Sequence, residues 1–205
     1  MVEELRVAKD VLALVLAAGL STRMGQPKLL LDWGGKTVLQ TVLLTLHSAG
    51  IERIYTVVGA NREAIQQSIL SLTFPVRTVF NPDYSNGEMT DSIKVGIKSV
   101  PRNAAAVLIV LGDQPQMEVE VVKGVLDFYK KTGAKIIVPS YQFRRGHPWL
   151  IEKSLWGELE NLSPSYTMRD FLRKHHDEIR YIEVETPTVL QDLDTPQDYQ
   201  RLKPE

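Results

Sequence analysis

Residues 16–28 read Leu16-Ala17-Ala18-Gly19-Leu20-Ser21-Thr22-Arg23-Met24-Gly25-Gln26-Pro27-Lys28, a run of small residues followed by two cations. Small side chains let backbone N–H groups approach a phosphate chain, and fixed positive charge from Arg23 and Lys28 can neutralise it. Two common phosphate loops fail on spacing. A dinucleotide fingerprint needs G-x-G-x-x-G, whereas Gly19 is followed two places later by Ser21. Gly35-Lys36-Thr37 has the ending of a Walker loop, but Leu30 stands where that loop needs its first glycine. Carboxylates form the second group. Asp113 follows an apolar run, and Asp192 and Asp194 lie far along the chain; their oxygens are hard ligands suited to Mg²⁺. The same aspartates have plainer uses. Asp113 before Gln114-Pro115 suits a turn or helix cap, and Asp194-Thr195-Pro196 suits an N-cap with proline in the first turn.

Neutral polar residues are less specific. Asn81 and Ser92 can donate to or accept from a base or ribose, and Gly59 ends an apolar run where backbone could meet a nucleotide. His147 follows Arg144-Arg145-Gly146 and precedes Pro148, so its ring could contact an acceptor substrate or a phosphate, with Gly146 permitting close approach. His175-His176 follows Arg173-Lys174 at an expected helix end, where cations favour the dipole, and reads as surface.

The elements that must position these residues alternate. Short apolar runs at 11–16, 54–58, 76–80, 106–111 and 136–138 end in turn residues and predict buried strands. Helical spacing is expected at 37–49, ending at Gly50, and at 61–72, 89–99, 118–131, 152–160, near 165–174 and at the C-terminus. The pattern predicts a three-layer α/β/α domain whose mostly parallel sheet carries its site at the carboxyl ends of the strands. Residues 139–151 break the alternation and suggest a hairpin or an edge excursion.

The 205 residues are expected to form a single domain, with residues 1–10 as a frayed lead-in. Lys and Arg number 24 against 25 Asp and Glu, a net charge of −1 that gives no global reason to expect a nucleic acid or membrane partner. There is no cysteine, which excludes disulfides, thiolate nucleophiles and cysteine metal sites and is compatible with the cytoplasm. No apolar run reaches the roughly 18 residues of a membrane span.

Taken in order, five motifs resemble those of the MobA-like nucleotidyltransferases, which have a Rossmann-like, glycosyltransferase-A type fold. Leu16 to Lys28 resembles the L-A-A-G-x-S-x-R-M-G-x-x-K signature, and Asn81-Pro82-Asp83-Tyr84 with Gly87 and Ser92 resembles the third-strand loop. Leu111-Gly112-Asp113-Gln114-Pro115 resembles the metal-binding motif. Gly146-His147-Pro148 and Asp192-Leu193-Asp194-Thr195-Pro196-Gln197-Asp198 resemble the two later motifs of molybdenum cofactor cytidylyltransferases. The likeness runs from about residue 11 to about residue 203. Two stretches depart from it. Gly87 to Ser92 is more acidic than the serine-rich version, and 163–170 lacks G-D-x-G-x-R, with Arg169 in place to keep the arginine role.

The resemblance implies Mg²⁺-dependent transfer of a nucleoside monophosphate from an NTP to a phosphorylated acceptor, with pyrophosphate released. Arg23, Lys28 and Asp113 would be catalytic. Leu16, Ala17, Ala18, Gly19, Lys28, Gly59, Asn81, Ser92 and Asp113 would hold the nucleotide, and Gln114, Pro115, Gly146, His147 and Arg169 the acceptor. Asp113, with Asp194 or Asp192, would bind the metal. Ala18 favours the cytidylyl branch, hence CTP and molybdopterin, over the L-A-G-G form of the guanylyl branch. A GTP-dependent enzyme, a sugar- or polyol-phosphate enzyme and a non-catalytic nucleotide-binding protein that delivers cofactor remain the alternatives, with a molybdoenzyme or its chaperone as the implied protein partner.

Overall fold

The computed structural model describes residues 10–85, 88–163 and 165–204. Residues 1–9 of the expected lead-in, and Gly87, lie outside them. The first strand, β1 (Val11–Ala17), has Leu12, Ala13, Leu14 and Val15 fully buried. Removing each large side chain from water is worth about 1.5–3 kcal/mol, so this run has no stable place except the middle of a sheet. A small hairpin, β2 (Asp32–Trp33) and β3 (Lys36–Thr37), leads into helix α1 (Val38–Ser48). Thr37 caps that helix: its hydroxyl accepts from Gln40 N (3.1 Å) while Gln40 Oε1 accepts from Thr37 N (2.7 Å). Gly50, at φ +91°, ends it as the sequence predicts.

The remaining elements are β4 (Ile54–Val58), α2 (Arg62–Ile69), β5 (Val76–Phe80), α3 (Met89–Ser99), β6 (Ala106–Leu111) and α4 (Val119–Thr132), then β7 (Ile136–Tyr141), β8 (Arg144–Arg145), β9 (Trp149–Glu152), α5 (Trp156–Glu160), α6 (Met168–Lys174), β10 (Ile179–Glu183) and α7 (Pro196–Leu202). The main sheet runs β10-β7-β9-β6-β1-β4-β5, with β8 paired to β7. The pairs of β1 with β4 and β6, of β4 with β5, and of β10 with β7 are parallel; β9 is antiparallel to both β6 and β7. Alternate β1 residues feed different cores. Ala13 and Val15 pack with α1, α2 and α4 on one face, while Leu12 and Leu14 pack with α3, α5 and α6 on the other. This is the expected three-layer α/β/α arrangement around a mostly parallel sheet.

One expectation is corrected, one is extended and one strand is added. Glu152 ends β9, so the helix expected over 152–160 starts only at Trp156, after a 3-10 turn over Lys153–Leu155. The segment after Pro139 does form a hairpin, β7–β8, but the chain then enters the sheet interior as β9, because Trp149, Leu150 and Ile151 are apolar enough to be covered on both faces. Edge strand β10 was not anticipated: its pattern of one buried residue among exposed Arg180, Tyr181 and Glu183 gives little periodic signal.

Candidate active site

Parallel strands β6, β1 and β4 bring their carboxyl ends to one edge, and the loop after β1 lies across it. Ser21 takes a left-handed conformation, φ +55°, which turns the chain so that its Oγ accepts from Lys28 N at 3.3 Å. Two short 3-10 turns, Thr22–Met24 and Lys28–Leu30, then set Arg23 and Lys28. Leu193 N donates to Asp113 O (3.1 Å), tying the segment before α7 to the end of β6.

The charged groups converge there. Lys28 Nζ pairs with Asp113 Oδ2 and, at 3.2 Å, with Asp194 Oδ1; Arg23 Nη2 reaches Asp194 Oδ2 at 2.9 Å. Gln114 Nε2 donates to Asp192 Oδ1 at 2.7 Å. Burial acts to lower the Lys28 pKa, and the neighbouring Asp113 and Asp194 carboxylates overcome it, so the ammonium is held above its ordinary range. Burial, reinforced by Asp113 and Asp194, raises the Asp192 pKa, while the Gln114 hydrogen bond and Lys28 oppose that rise. Three carboxylates thus face two cations, leaving oxygen-donor capacity and negative charge at one point.

That donor set fits a divalent cation of the Mg²⁺ kind. Among the described residues no three His, Asp or Glu side chains form a closed metal cage. Mg²⁺ characteristically takes only one or two carboxylates and completes its shell with phosphates and water.

Two cavities adjoin this cluster. The smaller, about 270 Å³, is lined by Leu16, Ala17, Ala18, Gly19, Ser21, Lys28, Ser92, Asp113 and Asp192, together with Tyr84, Glu88 and Met89, which carry no expected site role. The larger, about 1110 Å³, is lined by His147 and Arg169, by Arg145, Arg173 and His176, and by apolar Trp149, Met168 and Leu172. Glu88 and Met89, at the start of α3, line both.

Several expected residues stand behind these walls. Asn81 is buried; its Nδ2 donates to Ser92 Oγ (3.1 Å) and its Oδ1 accepts from Asp83 N (3.0 Å), so of this pair Ser92 faces the smaller cavity. A Cβ on Gly59 would overlap the Ala18 carbonyl and lie 2.6 Å from Tyr84 Cβ, so the close approach is to the chain itself. Gln114 and Pro115 are buried beside Asp192 and line neither cavity. Gly146 is packed against Val189, and its carbonyl accepts from Trp149 Nε1 at 2.7 Å. His147 stacks on Trp149, with ring centroids 4.2 Å apart, and its Nε2 is sealed from solvent with no hydrogen-bond partner among the described residues. Burial pushes its pKa down to about 4, so the ring is neutral at neutral pH. His175 departs from the surface reading: its side chain is only 11% exposed and lies between Glu158 (3.1 Å) and Glu178 (2.5 Å), whereas His176 is exposed.

A readable signal existed for one missed residue: Arg173 lies four positions after Arg169 within an expected helix, hence on the same face. Arg145 and His176 needed the tertiary arrangement.

The family model described as the MobA-like NTP transferase domain matches residues 13–179. The chain belongs to this family. The MobA-like chain is 27% identical over 187 residues to the molybdenum cofactor cytidylyltransferase of Escherichia coli K12, covering 91% of this chain and 92% of that one. It is 29% identical to nicotine blue oxidoreductase of Paenarthrobacter nicotinovorans, covering 94% and 96%. Rv0371c of Mycobacterium tuberculosis H37Rv superposes with a TM-score of 0.82 at 27% identity, covering 95% and 98%; a second structure of that protein, in complex with manganese, gives 0.77 at 26%. The MobA-like chain is a nucleotidyltransferase. Among its described residues no helix is long and apolar enough to cross a membrane.

Proposed function

We propose that this protein transfers CMP from CTP to the terminal phosphate of molybdopterin in the cytoplasm, with Mg²⁺ as its metal. The observation that carries this reading is Lys28 held between Asp113 and Asp194 at the mouth of the Leu16–Gly19 cavity, beside a larger arginine-lined cavity. The name of the Escherichia coli relative, which matches over nearly its whole length, supports the acceptor and the base.

In this account the backbone of Leu16 to Gly19 faces the nucleotide, and Lys28 and Arg23 hold its phosphates. An anionic acceptor oxygen attacks the α-phosphorus; the new P–O bond forms as the bond to the β-phosphate oxygen breaks, and pyrophosphate leaves. No proton need be removed from an ionised phosphate, so no general base is required, and His147, neutral and sealed at Nε2, serves to shape the acceptor wall. Positive charge fixed beforehand near the reacting phosphorus stabilises charge that develops there. Bound by Asp113 with Asp192 or Asp194, Mg²⁺ would supply Lewis-acid neutralisation of the phosphate oxygens. Arg169 and Arg173, one helical turn apart on α6, with Arg145 opposite, would hold the anionic acceptor over the apolar surface of Trp149, Met168 and Leu172. A molybdoenzyme or its chaperone would receive the product.

Pyrophosphate release tests this. With Mg²⁺ and molybdopterin, CTP should give acceptor-dependent pyrophosphate well above that from GTP, ATP or UTP. Faster release from GTP would move the assignment to guanylyl transfer, and nucleotide binding without release would leave a binding protein.

A further inference from the structure

The smaller cavity is chemically polarised along the sheet. Lys28, Asp113 and Asp192 stand on the β6 side of β1, while Tyr84, Glu88 and Ser92 come from the connection and helix that follow β5, on the other side. Tyr84 lies against Gly59, close to the Ala18 carbonyl, so that end presents small residues and a ring. Phosphates belong at the charged end, which leaves the flat end for the base.

Among the described residues, Glu88 is the one charged residue lining the flat end. Its neighbour Asp91 is engaged elsewhere: it accepts from Glu88 N (3.0 Å) and from Lys94 Nζ (3.3 Å). Glu88 makes no ion pair among the described residues; its side chain closes the other half of the capping box by accepting from Asp91 N, which leaves its second carboxylate oxygen to accept from a ligand. Ser92 follows four positions later on the same face of the first turn of α3. The Asn81 amide fixes its polarity. Because Asn81 Oδ1 accepts from Asp83 N, its Nδ2 is the group that meets Ser92 Oγ, so that oxygen accepts and its O–H remains to donate into the cavity.

We propose that Glu88 and Ser92 form an acceptor–donor pair that reads the amino edge of the base. This rests on the transfer reading above and adds what selects its nucleotide. An ionised carboxylate only accepts, and Ser92 here donates. Cytosine presents an N4 amine beside the N3 acceptor, matching both groups; uracil presents O4, which an ionised carboxylate cannot meet, and N3–H, which Ser92 Oγ could meet only through its second lone pair. A site built to meet an amine rejects the analogue that lacks one, because its own polar groups are left unpaired. The acidic character of 87–92, a departure from the serine-rich family pattern, thereby acquires a use.

Isothermal titration of CTP, UTP and inorganic tripolyphosphate, each with Mg²⁺ and no acceptor, tests the pair on the wild type, Glu88→Gln and Ser92→Ala. Unliganded unfolding midpoints serve as the folding control. The wild type should prefer CTP to UTP by at least about tenfold, the discrimination of one good base-edge pair. Glu88→Gln should remove most of that preference, since an amide can donate to O4, and Ser92→Ala should weaken CTP more than UTP. Tripolyphosphate affinity should not change in either variant. Equal wild-type affinities for CTP and UTP, or an unchanged ratio in Glu88→Gln, would overturn the base-edge assignment while leaving transfer itself standing. In the pyrophosphate-release assay, a Glu88→Gln effect confined to the acceptor KM would also overturn it, placing the carboxylate in the larger cavity. Selective CTP binding without pyrophosphate release would uphold the pair and defeat the transfer reading.

Discussion

Acidification should weaken the fold through His147, and the size of the loss can be worked out. The ring is stacked on Trp149 with Nε2 sealed from water, and burial lowers its pKa to about 4, against roughly 6.5 in the unfolded chain. The unfolded state therefore binds the proton more readily. Stability from the neutral ring is complete above about pH 6.5 and is lost as the pH falls toward 4. Between pH 7.5 and pH 5.0 the two pKa values give a loss of about 2 kcal/mol. Carboxylates held low, such as Glu158 and Glu178, lose their contribution at lower pH and do so equally in a His147 variant. His147→Phe keeps a ring against Trp149 and removes the titration. Urea unfolding of both proteins at the two pH values should show the wild type losing about 2 kcal/mol more than the variant. Parallel losses, within about 0.5 kcal/mol, would refute the assignment of a buried neutral imidazole.

Asp113→Asn keeps the volume and removes the charge paired with Lys28; CMP transfer should fall by about 100-fold or more while the unfolding midpoint stays close to wild type, and undiminished Mg²⁺-dependent turnover would count against Asp113 at the reacting centre. Arg173→Ala should raise the acceptor KM and leave CTP affinity unchanged in calorimetry, since Arg173 lines only the larger of the two cavities. Gly96→Ala would drive a methyl group into the Leu14 side chain where α3 crosses β1; denaturant titration should show a cost of about 1–3 kcal/mol, and a neutral result would mean that α3 can move away freely.

The sheet and its order of elements were legible because buried parallel strands are written as short apolar runs, 11–16 and 106–111 most plainly, and because Gly50 and Thr37 mark the ends of α1 unambiguously. Strand β10 was not, since an edge strand with one buried residue has almost no pattern. The site divides similarly. Arg23, Lys28 and Asp113 stand out by residue type and place, whereas the reach of Asp194 to Lys28, 166 residues away in sequence, is a tertiary fact. Gly59 and Asn81 carry a polar-loop signature that does not reveal which way they face. Glu88 was visible only as an oddity of composition until α3 brought it beside Ser92 and into both cavities.

The most direct test of transfer follows the α-phosphorus. CTP labelled there, incubated with Mg²⁺ and molybdopterin, should pass its label into the acceptor product, with one unlabelled pyrophosphate released for each product formed. Label recovered as free CMP, or retained wholly in CTP beside a competent acceptor, would contradict the account.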